Sequence, residues 1–208
     1  MAARVRVDFA APASEAELTA LAERLRERNF EVLIVKDGDE ARAEVLNRIP
    51  DGASIHSGKS KTLEDAGIFS ALMEDERYDF IRRKTLQMDR RTQMREITRM
   101  GATPDVMISS VQALTEEGQL VITSASGSQL GPLASGAGKV IFVIGSQKIV
   151  PDLDTAFQRI KEYVFPYEDA RLREQLGAGT KIAKTLIFDQ EYLPGRTTVI
   201  LVREPIGV

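Results

Sequence analysis

Leu18, Leu21 and Leu25 recur at the spacing of one helix face, and Ser14 with Glu17 ahead of them is the reciprocal pair of a capping box. The sequence therefore predicts an amphipathic helix over residues 14–28. The apolar run Val32-Leu33-Ile34-Val35 predicts a short buried strand, Asp39 to Arg48 a second helix carrying Val45 and Leu46, and Ala53-Ser54-Ile55-His56 a second strand. Such α–β–α–β alternation implies parallel strands joined by crossovers, with ligands at the C-terminal strand ends, where residues 57–62 fall. From Leu63 to Met100 the chain is polar with a helical period, predicting two or three helices broken near Gly67 and around Met88-Asp89. Beyond Gly101 strands are predicted at Val106 to Ile108, Leu120 to Thr123 and Val140 to Ile144. A helix follows from Asp152 to Tyr163, then a short helix after Pro166, then strands at Thr185 to Phe188 and Thr197 to Val202 separated by the Pro194-Gly195 turn. The fold class read from this order is α/β, a mainly parallel sheet flanked by helices, in one domain over residues 1–208.

Composition narrows the function. The chain has no cysteine, which removes disulfides, iron–sulfur ligation, zinc ribbons and any thiol nucleophile. Its one histidine, His56, cannot supply a multi-histidine metal site, so neither metal nor cofactor is expected. With 28 Lys+Arg against 31 Asp+Glu the net charge of −3 argues against a broad nucleic-acid surface. The basic run from Arg82 to Arg99 has no aromatic residue between Lys84 and Arg99 on which bases would stack, and it reads as a solvated face. No apolar run approaches the roughly 20 residues that span a bilayer, and the N-terminal residues intersperse charges where a secretory signal is apolar, so a cytoplasmic location is expected.

Two stretches are candidates for chemistry. His56-Ser57-Gly58-Lys59-Ser60-Lys61-Thr62-Leu63-Glu64 runs from a strand end through small residues into a helix start. Glycine lets a backbone approach a ligand, while hydroxyls, amides and lysines favour a phosphate or carboxylate. Neither Walker A nor dinucleotide-binding glycine spacing is present. The alternative is an ordinary turn capped by Ser60 or Thr62. The second stretch, Ser124 to Pro132 with Ala134 to Lys139, is equally rich in small polar residues, and Ser126, Gly127, Ser128 and Gln129 would form the opposite wall of a pocket if the two loops face each other. Lys139 and Lys148 add positive charge. Glu64 and Glu116 lie beside the loops as candidates for general base or nucleophile, with capping or solvation as the plainer alternatives. His56 reads as a hydrogen-bonded structural residue rather than a base.

Three phrases in order carry a family resemblance: Ser57 through Ile68, Ala113-Leu114-Thr115-Glu116-Glu117-Gly118-Gln119-Leu120-Val121, and Lys139 through Leu153. They resemble the LUD, or lactate-utilization, domain family, in a single-domain form without a cysteine-rich ferredoxin-like extension. The resemblance implies a fold similar to the superfamily of ribose-5-phosphate isomerase, glucosamine-6-phosphate deaminase and the CoA transferases, with Gly58, Ser60 and Thr62 in the place of its phosphate- or carboxylate-holding loop. It also implies a role in oxidising L-lactate to pyruvate with separate Fe–S subunits as electron-handling partners. A free-standing isomerase or acyl transferase, or a regulatory subunit, are the alternatives; a homo-oligomer is compatible with any of them. Where many relatives carry Gly-Asn-Arg, this chain has Gly127-Ser128-Gln129-Leu130-Gly131, which removes a cation from that loop. Elemental analysis of the purified chain is expected to find neither iron nor zinc in stoichiometric amount, and one equivalent of either would overturn the ligand argument from composition.

Overall fold

The computed structural model describes residues 8–58, 60–89 and 91–208; the N-terminal stretch 1–7 and the candidate Lys59 lie outside these. The first helix, α1 (Glu15–Glu27), starts where its cap dictates: Ser14 Oγ accepts from Glu17 N–H at 3.3 Å, and Glu17 Oε2 accepts from Ser14 N–H at 2.7 Å. Its buried leucines, each contributing about 2 kcal/mol through burial, face the sheet. Next come β1 (Glu31–Val35), α2 (Gly38–Asn47), β2 (Ser54–Ser57), α3 (Lys61–Asp65), α4 (Ile68–Glu74), β3 (Asp79–Phe80), α5 (Ile81–Thr85) and α6 (Met94–Met100). The second half holds β4 (Val106–Ser109), β5 (Ala113–Thr115), β6 (Leu120–Ser124), β7 (Lys139–Gly145), β8 (Ile149–Val150), α7 (Leu153–Arg159), α8 (Phe165–Leu176), β9 (Lys184–Phe188) and β10 (Thr197–Val202).

Six strands form a wholly parallel sheet in the order β1-β10-β7-β4-β2-β3. β7 and β10 sit inside it, which is why both are nearly continuous runs of branched apolar residues. One face, with Met107, Val140, Phe142 and Leu201, packs on α1 and on a second sheet. The other, with Ile55, Ile108, Ile141 and Ile200, packs on α2, α3 and α4 through Val45, Leu63, Ile68 and Leu72. The second sheet, β8-β5-β6-β9, mixes antiparallel β5–β6 and β6–β9 pairs with a parallel β5–β8 pair, and Val121 and Val150 on its outer side pack against Ala156 and Ile160. The expected α/β architecture is therefore present. No helix among the described residues is long and apolar enough to cross a membrane.

The structure departs from expectation where elements are short. Residues 63–100 hold several short helices and an edge strand, and β5 and β8 were not anticipated. The helix expected to end at Tyr163 instead runs through a π-helical turn, Ile160–Val164, straight into α8. Phe165 N–H reaches Ile160 O across that wider turn, and Pro166 follows in the first turn of α8, where a missing N–H is tolerated.

His56 also differs from expectation, because its Nδ1 has no hydrogen-bond partner. Burial, aided by the Arg82 charge, lowers its pKa to about 4. Between about pH 4 and 6.5 the unfolded chain binds a proton here that the folded chain does not, so stability falls as pH drops through this window, by up to about 3 kcal/mol. His56→Gln is expected to flatten that part of the stability–pH curve in urea denaturation; an unchanged slope would refute the assignment.

Candidate functional site

The C-terminal ends of β2, β4 and β7 lie side by side in the parallel sheet; the loop leaving β2 and the turn after β7 carry Ser57 to Thr62 and Lys148, while Ser126 to Gln129 follow β6 of the second sheet. Ser57, the last residue of β2, is wholly buried and its Oγ has no partner. Gly58 follows, packed so closely on the second loop that an added β-carbon would collide with Gln129 Oε1. The structure thus brings the two polar loops together. Gln129 Nε2 is aimed at Thr123 O, 3.5 Å away, while Gly127 takes the left-handed conformation (φ +83°) and lies against Lys184. Lys184 Nζ donates to Ser126 O at 3.2 Å, and Ser126 and Ser128 join through their hydroxyls.

The helix start is less simple than a capped turn. Ser60 sits at the N-cap of α3 with extended backbone but makes no capping hydrogen bond, and α3 is only five residues long. Lys61 is occupied by an ion pair with Asp65. Thr62, buried, turns its Oγ1 to accept from Lys148 Nζ at 2.7 Å.

Lys148 is the centre of the arrangement. It comes from the short turn Ser146–Lys148 after β7, is 3% exposed, and also donates to Ser110 Oγ at 3.1 Å and Val111 O at 3.2 Å. All three donors are thus matched by neutral oxygens, and no carboxylate among the described residues lies within ion-pair distance. Loss of hydration, followed by repulsion from Arg159, lowers its pKa to about 7, against weaker opposite effects from Asp65 and Glu168. The segment after β10 closes this side. Gln147 Nε2 donates to Ile206 O at 2.9 Å, Gly207 N–H donates to Asp65 Oδ2 at 3.0 Å, and Gly207 (φ +74°) is so close to Thr62 that a side chain there would collide with it.

Other candidates stand elsewhere. Glu64, about one-third exposed, is 3.5 Å from Arg171, which also binds Glu168 at 2.8 Å. Glu116 is exposed in the β5–β6 turn, at the opposite end of that hairpin from Ser124, with its carbonyl bound by Arg24; it is not brought to the loops. Lys139 opens β7 and so lies at the N-terminal edge of the sheet, where its Nζ donates to Gly195 O. That edge holds a cleft of about 640 Å³, but its charged side chains already have partners: Glu31 pairs with Arg48 and accepts from Thr198, and Asp105 accepts from Ser54. Arg159, which carries no sequence-based role, is wholly buried beside Lys148, with its guanidinium 5.2 Å from the Tyr163 ring centroid. Its sequence signal is a charged residue set among Ala156 and Ile160, on the apolar stripe of α7.

A wholly parallel six-strand sheet with helices packed on it places the chain in the α/β class of protein, in which the C-terminal strand ends are the usual place for a site. The LUD domain family model matches residues 18–202, and the chain belongs to that family. A crystal structure of a DUF162 family protein from Deinococcus radiodurans is similar over 92% of this chain and 99% of that one, with a TM-score of 0.56 and 14% identity, which establishes likeness of fold. No curated protein matches the chain.

Lys148 makes stability depend on pH on the alkaline side. Between about pH 7 and 10.5 the unfolded chain holds a proton on this lysine that the folded chain has released, so stability rises with pH there. Lys148→Met is expected to lose ground relative to the parent between pH 7 and 10 in urea titrations. A pH-independent difference would contradict this reading of the lysine.

Proposed function

We propose that the chain is a cytoplasmic, non-redox subunit of a lactate-utilization system that binds a small carboxylate or phosphorylated metabolite between its two polar loops. The observation that carries this reading is the meeting of Gly58 with Gln129, on a chain whose Thr62, four residues after Gly58, is bonded by Lys148, one of two buried cations, with Arg159, that no described carboxylate pairs. An anion there would meet amides and hydroxyls of Ser57, Gly58, Ser60 and Thr62 on one side and of Ser126 to Gln129 on the other. Oxidation of lactate to pyruvate releases two electrons and two protons, and a chain without cysteine has no cluster ligands to carry those electrons. Fe–S partner proteins would take them. The family membership supports the lactate association. Glu64 supports a second reading, a free-standing isomerase or acyl transferase, because it stands partly exposed on α3 beside Arg171.

Calorimetric titration with L-lactate, pyruvate, ribose 5-phosphate and a CoA thioester separates these readings, since each ligand class favours one of them. Gly58→Val, which drives a branched side chain into the Gln129 amide, is expected to abolish binding of whichever ligand binds the parent. Ser60→Ala should weaken it about fivefold, the value of one net hydrogen bond. Equal affinities in parent and Gly58→Val, with both folded by circular dichroism, would remove the loops from the site.

A further inference from the structure

Arg159 is a guanidinium in an unusual position. It is 0% exposed, its Nη1 donates to the Gln112 carbonyl, and its Nε and Nη2 have no hydrogen-bond partner. No carboxylate among the described residues lies within ion-pair distance of it. Buried polar groups are almost always hydrogen-bonded, and a buried charge is ordinarily paired. A second buried cation, Lys148, donates to the carbonyl of Val111, the neighbour of the Gln112 that Arg159 bonds, and the two charges oppose each other. The carboxylates that favour the Lys148 charge, Asp65 on α3 and Glu168 on α8, are engaged already, Asp65 by Lys61 and Gly207 N–H and Glu168 by Arg171. The backbone also widens at this point, because the π-helical turn Ile160–Val164 begins directly after Arg159, and such turns recur at functional sites.

We infer that Arg159 receives the carboxylate of a small monocarboxylic acid on Nε and Nη2, with Lys148 as the second cation of the same subsite. This inference rests on the small-anion reading above and narrows it. The two unpartnered donors form one edge of a planar fork, which matches the two coplanar oxygens of a carboxylate. The Gln112 carbonyl on Nη1 fixes the plane of that fork, and the Tyr163 ring backs it. Tyr163 is partly exposed and packs on Phe9, and it is the side chain that would turn aside on entry. One negative charge balances the unpaired Arg159 guanidinium. The anion also favours the protonated form of Lys148, so binding between about pH 7 and 9 takes up a proton.

The test uses the whole chain labelled with 15N-arginine and 15N-glycine, titrated with acetate, pyruvate and inorganic phosphate while the Arg159 Nε–H and the Gly58 and Gly127 amides are followed. Acetate and pyruvate are expected to shift the Arg159 signal saturably, inorganic phosphate far less. Arg159→Lys, which keeps the charge but not the fork, should weaken pyruvate binding at least tenfold. Calorimetry of pyruvate binding at pH 8 in two buffers of different ionisation heat should report proton uptake by the parent, lost in Lys148→Met. If pyruvate moves Gly58 and Gly127 but leaves Arg159 still, this inference falls and the loop site stands. If acetate moves Arg159 while no metabolite moves the glycines, the subsite stands and the loop reading falls. A phosphate response as strong as that to acetate overturns the choice of carboxylate, and silence from all three signals overturns both proposals.

Discussion

The Lys148 ammonium joins three separate parts of the chain at one point. Its hydrogen bonds reach Thr62 on α3, Ser110 after β4 and the Val111 carbonyl, so the loops leaving β2, β4 and β7 are tied together at the C-terminal edge of the sheet. Burying an ammonium is costly, and here the compensation comes from neutral oxygens rather than from a carboxylate. The same choice leaves the interior with excess positive charge. A structural tie and an attraction for anions are therefore two results of one arrangement.

Long elements were legible in the sequence because their stability is local or their burial complete. Ser14 and Glu17 close α1 wherever they stand ahead of a leucine stripe, and a strand buried on both faces, such as β7 or β10, is apolar at nearly every position. Short elements were not legible, since nothing in Asp79-Phe80, Ala113 to Thr115 or Ile149-Val150 specifies a strand until β2, β6 or β5 offers a partner. The unbroken passage from α7 into α8 was hidden for a different reason. Pro166 looks like a terminator unless the π-helical turn ahead of it is known.

The candidate site was legible on its glycine and serine side. The composition of residues 57–62 and 124–131 marked both loops, and the contact of Gly58 with Gln129 joins them in space. Charge was harder to place. Lys139 and Lys148 lie nine residues apart, but β7 spans the sheet between them and sends them to opposite edges. Glu116 is adjacent to the loops in the written sequence only in the sense that it precedes them; the hairpin turns it away. Arg159 escaped because a charged residue in a helix is ordinarily taken to face solvent, and only its neighbours Ala156 and Ile160 hint otherwise.

The strand order carries a consequence for how the molecule is made. β10, formed from residues 197–202, lies between β1 and β7, and β1 has its sheet partner in β10. During synthesis on a ribosome, residues 31–35 emerge early and wait for a strand that is made more than 160 residues later. Until then β7 presents an open, apolar edge, the kind of surface that nascent-chain chaperones cover and that pairs with other chains when left bare. Contacts of such long sequence separation also slow folding, because loop closure must precede any gain from pairing. Completion of the parallel sheet is thus a late event in the life of the chain, and truncation before residue 197 would leave β1 without its partner.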